Sequence, residues 1–136
     1  MSKVHNNGVY ARNVARLGAK LRARRCGASI RIVDLATAAG VDKSTVSRFE
    51  TGRTTPGLDT VERMITAAEL LVWMRTAGHT LRRHGRQAMA TQLETVRPLF
   101  VVNDAKRPAG LGDLVVQAPV LRLIAAAKLQ LRALGA

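Results

Sequence analysis

Cysteine occurs once, at position 26. A single thiol excludes an internal disulfide framework and a cysteine-based zinc site, and it fits a reducing cytoplasm. Arg24 and Arg25 give Cys26 the electropositive setting of a redox-sensing thiol. A small filler at a helix end is the commoner role of a free Cys, and that reading is preferred. Aromatics are scarce too, with one Trp, one Tyr and two Phe, so a core must be built from Leu, Val, Ile, Ala and Met. So few rings argue against single-strand binding by base stacking. No apolar run reaches ~18 residues and no signal-peptide pattern opens the chain, so neither a membrane span nor secretion is expected. Ser/His/Asp groupings, paired carboxylates, phosphate-cradling Gly loops and redox motifs are all missing. His79 and His84 stand five apart, not the four that puts two metal ligands on one helical face. No enzyme activity, metal or cofactor is expected.

Acidic residues are the remaining shortage: nine against 22 Lys and Arg, a net charge of +13 over 136 residues. Such an excess favours polyanions through counterion release from phosphates. It does not separate DNA from RNA or from an acidic membrane surface. The distribution is more informative. Residues 1–30 hold seven basic residues and no acid, whereas 31–70 hold five basic and six acidic ones. The basic excess therefore flanks a central, nearly neutral stretch on both sides. The length suits one domain, or a small domain with an accessory segment.

Within that stretch, residues 32–49 predict two short helices joined by a sharp turn. Leu35 and Ala39 are four apart and Val46 and Phe49 three apart, giving each helix one apolar face. Gly40 can take the left-handed conformation that stops a helix in one residue. Val41 follows as an apolar plug, Asp42 stands at the N-cap position of the second helix, and Ala36 is small where the helices pass closest. Lys43, Ser44, Ser47 and Arg48 are left facing outward, with Thr45 among them. Cationic and hydroxyl groups on a short helix suit base edges and phosphates.

These offsets resemble the helix-turn-helix of phage-repressor-like regulators, the lambda-repressor/Cro or XRE-like group. The resemblance covers roughly Val14 to Ala68. It continues through Glu50-Thr51-Gly52-Arg53-Thr54-Thr55-Pro56 into Gly57-Leu58-Asp59-Thr60, which is similar to that group's loop and fourth-helix start. It implies a mostly α fold: a helix-turn-helix bundle of four to five helices, with an additional helical and partly irregular C-terminal segment. One feature departs from the group. Where such proteins commonly carry Thr or Ser followed by Gln, which clamps a phosphate, this chain has Arg31 and Ile32. Ser29 or Arg31 must substitute.

The rest of the chain divides around this unit. Residues 1–12, with the turn signal Asn6-Asn7-Gly8, predict a flexible arm. The DNA-binding domain is expected over 13–69. Asn13 caps a helix from Val14 to about Arg25, with Val14, Leu17, Gly18 and Leu21 on its inward face and Gly27 closing it. Lys20, Arg22 and Arg24 on its polar face are candidate phosphate contacts. Arg53 and Thr54 in the loop after the second helix are further candidates. Leu58, Val61, Met64/Ile65 and Ala68 predict the inner stripe of a fourth helix.

A helical extension is expected over 70–98. Leu70, Trp73/Met74, Ala77, Leu81, Ala88/Met89, Leu93 and Val96 keep helical spacing until Pro98. Gly78 and Gly85 are expected breaks, and Arg82-Arg83-His84 with Arg86 forms a second basic cluster. Residues 99–136 form a C-terminal segment: a short β-like run at 99–102, a Pro/Gly-rich linker at 105–112, a short apolar run at 114–116, and an apolar helix from Val120 to Leu134 with Pro119 at its start. Val120, Ile124, Ala127, Leu131 and Leu134 can pack on the Trp73/Met74 face, and the segment can also serve dimerisation or degradation, since a protease needs only the last few residues frayed. Leu134-Gly135-Ala136 resembles the small apolar tags that ClpXP-type bacterial proteases recognise.

The function expected from these residues is sequence-specific repression of transcription on a double-stranded DNA operator, by a homodimer. The pattern is further similar to immunity (lysogeny) repressors of temperate actinobacteriophages, which places the protein in the cytoplasm of a bacterial host, on its nucleoid. An antitoxin-type or host regulator, and a non-specific nucleic-acid packaging protein, are the alternatives.

Overall fold

The computed structural model describes residues 2–96 and 118–135, which form six helices and, among the described residues, no strand. In order they are α1 (Ser2–Gly27), α2 (Ile32–Ala39), α3 (Lys43–Glu50), α4 (Leu58–Arg83), α5 (Gln87–Thr95) and α6 (Ala118–Ala133). The all-α helix-turn-helix bundle expected from the sequence is what forms. No helix among the described residues is long and apolar enough to cross a membrane. The expected β-like run at 99–102, linker at 105–112 and apolar run at 114–116 lie outside the described residues.

Two cores share one helix. Val14 and Leu21 of α1, Leu35, Ala36, Ala38 and Ala39 of α2, Val46 and Phe49 of α3, and Val61, Met64, Ala67 and Ala68 of α4 form the first. Met74, Ala77 and Leu81 of α4, Ala90 and Leu93 of α5 and Ala127 of α6 form the second, with Trp73, Met89, Val96, Leu123, Leu131 and Leu134 against them. Leu70 touches both. α4 runs unbroken through the boundary expected at 69/70, and Leu70 and Leu71 beyond it still pack against the first core. Val120 and Ile124 are buried as well, and Lys128 Nζ lies 5.7 Å from the centre of the Trp73 ring, a cation–π distance. The packing role expected for α6 is the one its residues adopt.

Four helix ends share one hydrogen-bonding pattern, in which the chain turns back so that successive amides reach carbonyls three and five residues earlier. It occurs at Ser29/Ile30, Gly40/Val41, Gly52/Arg53 and Gly85/Arg86. Glycine holds the left-handed residue at three of them; at the end of α1 it is Ser29, with φ 56°. Gly27, expected to close α1, is instead its last helical residue.

Other expectations are corrected. The first twelve residues are not a loose arm, since α1 begins at Ser2 and Asn13 lies inside it. One interior Gly costs a helix only about 1 kcal/mol, and Val14 anchors this segment in the core while the Tyr10 hydroxyl donates to the Pro56 carbonyl at 3.2 Å. Leu17 and Leu58 are exposed, because the buried stripe of α1 runs through Val14, Gly18 and Leu21 and α4 turns inward only from Val61. Gly78 does not interrupt α4. It is buried where Glu94 of α5 lies 3.1 Å from the position a Cβ would take. On α5 the inward residue is Ala90, not Ala88.

Candidate nucleic-acid interface

Val46 and Phe49 fix how α3 lies. Both are fully buried, and burial of such side chains contributes about 1.5–3 kcal/mol each. With that face committed, Lys43, Ser44, Ser47 and Arg48 are exposed, as their spacing predicts, and Thr45 is half-buried at the margin. Eight residues make a helix about 12 Å long, and the major groove is about as wide. Gly40 ends α2 in the left-handed conformation, φ 66°, and its amide donates to the Thr37 carbonyl. Asp42 stands at the N-cap of α3, but its side chain makes no capping hydrogen bond.

The one acid on α3, Glu50, is turned inward. Arg25 Nε donates to Glu50 Oε2 and Nη2 to Oε1, both at 2.8 Å, while Nη1 donates to the Ile30 carbonyl at 3.0 Å. The Arg25 guanidinium is held above its usual pKa chiefly by these bonds to Glu50, against the opposing pull of burial. Two consequences follow for the site. The outward face of α3 carries no negative side chain of its own, and the ends of α1 and α3 are tied to the loop that starts α2. Sequence reasoning missed this pair, because the partners are 25 residues apart. The only hint was an acid directly following the apolar Phe49.

α1 supports α3 by direct backbone contact. A Cβ on Gly18 would stand 2.0 Å from the Phe49 carbonyl oxygen, so only a residue without a side chain lets the helices meet there. Arg22 is one turn beyond Gly18 and shares its face, and its exposed side chain therefore flanks the α3 side. Lys20 and Arg24 share a different face. Arg24 is paired with Glu69 of α4 through Nε at 2.8 Å and Nη2 at 2.9 Å. Both partners are half exposed, and such pairs contribute little stability.

After α3 the chain turns at Gly52, and the Arg53 amide donates to the Arg48 carbonyl at 2.9 Å. That brings Arg53 and Thr54, both exposed, to the C-terminal end of the outward face. Arg31 precedes α2, but its guanidinium is shared with Asp34 through Nε at 3.0 Å and Nη2 at 3.2 Å. The structure thus brings together Lys43, Ser44, Ser47, Arg48, Arg53, Thr54 and Arg22. It ties Arg24 to Glu69 of α4 and Arg31 to α2, and leaves Lys20 exposed on the face it shares with Arg24. The assembly can offer donors to base edges and phosphates from a rigid, three-helix mount.

Residues 16–72 match the family model described as Helix-turn-helix domain. No curated protein and no solved structure matches the chain. The match covers α2, α3, the second half of α1 from Arg16 onward and the first half of α4. With the geometry above, it supports a DNA-binding regulator.

Proposed function

We propose that the protein is a sequence-specific repressor of transcription that binds a double-stranded DNA operator through α3, and that its role is phage immunity in the cytoplasm of a bacterial host. The observation that carries this reading is the outward face of α3: Lys43, Ser44, Ser47 and Arg48 exposed, the one acid withdrawn to Arg25. α3 enters the major groove, Arg22, Arg53 and Thr54 hold phosphates beside it, and the reading involves no catalysis. A homodimer completes it, placing two copies of α3 on half-sites about 34 Å apart. Leu121 and Leu129, eight apart on α6 and both exposed, support pairing through that outer face. The Leu70 to Val96 face is already occupied by the second core. A ClpXP-type protease is the further proposed partner, at Leu134-Gly135-Ala136, of which Gly135 is exposed and Leu134 half-buried.

Footprinting on the DNA next to its own gene, in excess competitor, tests the reading. A protected site with two-fold symmetry is expected. Uniform coverage without a preferred site would indicate a packaging protein instead, and co-purification with a toxin would indicate an antitoxin.

A further inference from the structure

The second half of α4 carries a basic stripe that the reading of α3 does not use. Arg75, His79 and Arg83 are spaced four apart and all exposed, and steps of four keep side chains on one side of a helix. They span about 12 Å of helix axis, a length along which one DNA strand presents three or four phosphates at about 3.4 Å each. Among the described residues none of the three forms an ion pair. The neighbouring Arg82 is different. It donates to Glu94 and Gln87 and faces α5, so the basic cluster at 82–86 splits, with Arg83 joining the stripe.

Arg75 and His79 of the stripe border a groove between α4 and the end of α1, lined also by Arg24, Ser29, Val72 and Thr76, with no acidic side chain in its lining, and Arg83 continues the line one turn further along α4. Glu69, the acid closest in sequence, is engaged by Arg24. The groove opens at the start of α2: Ser29 is two residues before Arg31, and Arg75 shares a small neighbouring hollow with Ile30, Thr37 and two acids, Asp34 and Glu94, which are engaged by Arg31 and Arg82. In helix-turn-helix docking the first helix of the pair crosses the sugar-phosphate backbone. Arg31 has its charge shared with Asp34, which leaves that crossing in need of cations from a neighbour.

We infer that Arg75, His79 and Arg83 form a second contact strip for the DNA backbone, flanking the half-site that α3 reads. This rests on the proposed DNA binding, and adds a longer footprint on one side of the groove. The strip contributes affinity without sequence preference, because it meets phosphates only.

The test uses the full chain and mixed-sequence duplexes of about 20 and 40 base pairs, with anisotropy read over a salt series. Against the longer duplex, the variant Arg75→Gln/His79→Gln/Arg83→Gln should lower the log–log salt slope by about 2 and weaken binding about 10–30-fold at about 0.15 M salt, one slope unit per lost arginine contact. Against the shorter duplex the loss should be smaller. A charge-matched control, Arg122→Gln/Arg132→Gln on α6, should leave the slope unchanged. An unchanged slope in the stripe variant, or an equal fall in the control, would overturn the strip. A wild-type protein with no preferred site would sink the repressor reading while leaving this comparison intact, since mixed-sequence DNA is the probe.

Discussion

Arg25 and Glu50 form a two-pronged ion pair, with both contacts at 2.8 Å and the carboxylate almost wholly buried. The pair fastens the end of α1 to the end of α3. Removing one partner leaves the other charge buried and uncompensated, which costs about 3–5 kcal/mol in such settings. Glu50→Gln and Arg25→Met should each lower stability by roughly 3 kcal/mol in urea unfolding. Arg25→Met combined with Glu50→Leu should recover much of that loss. If the double substitution costs as much as the two singles added, the pair is not coupled as described.

At Gly18 the backbone of α1 lies directly against the backbone of α3. A methyl group there meets backbone, which cannot swing aside. Gly18→Ala, ordinarily helix-stabilising by about 1 kcal/mol, should here be destabilising and should shift α3. A drop in melting temperature together with weaker DNA binding is expected. A rise in melting temperature would mean that the helices do not approach this closely.

Ser29 holds the left-handed turn that Gly40, Gly52 and Gly85 hold elsewhere. For a residue with a side chain that conformation costs about 1–2 kcal/mol. Ser29→Gly should therefore raise stability by about 1 kcal/mol, net of the extra freedom it gives the unfolded chain. Calorimetry or a denaturant midpoint would show it, and a loss of stability would point to a role for the serine hydroxyl.

Lys43 and Arg48 are expected to discriminate between sequences. Replacing either with Ala should cost about 1–3 kcal/mol at the preferred site if it makes a bidentate base contact. Arg22→Ala should weaken specific and random DNA alike. Competition binding separates the two patterns, and equal losses for all three would refute the assignment of α3 as the reader.

The helix-turn-helix was legible because its signals are local: one glycine, one small residue, and apolar pairs three and four apart. The start of α1 was not legible. Asn6-Asn7-Gly8 is a strong turn signal over three residues, and the contact between Tyr10 and Pro56 that holds the helix is 46 residues away in sequence. The closing of α1 was misplaced for a similar reason, since Gly27 looked like the natural stop while the turn is made at Ser29. Charge pairing was the least legible part. Arg24, Arg25 and Arg31 look alike in a row of basic residues, yet each has a different acid as partner. Nothing in the local sequence chooses between a solvated cation, a phosphate contact and an internal strut.

The unbroken course of α4 bears on how this protein can be cut and recombined. A chain ended at Glu69 would keep under half of that helix and lose Leu70 and Leu71, which help seal the first core. A chain ended at Arg83 would keep the first core intact and leave Met74, Ala77 and Leu81 open to water. Neither cut yields a clean portable reading head. The smallest unit that can be grafted onto another protein is therefore the helix with both of its cores, and a crossover falling within α4 should yield insoluble hybrids.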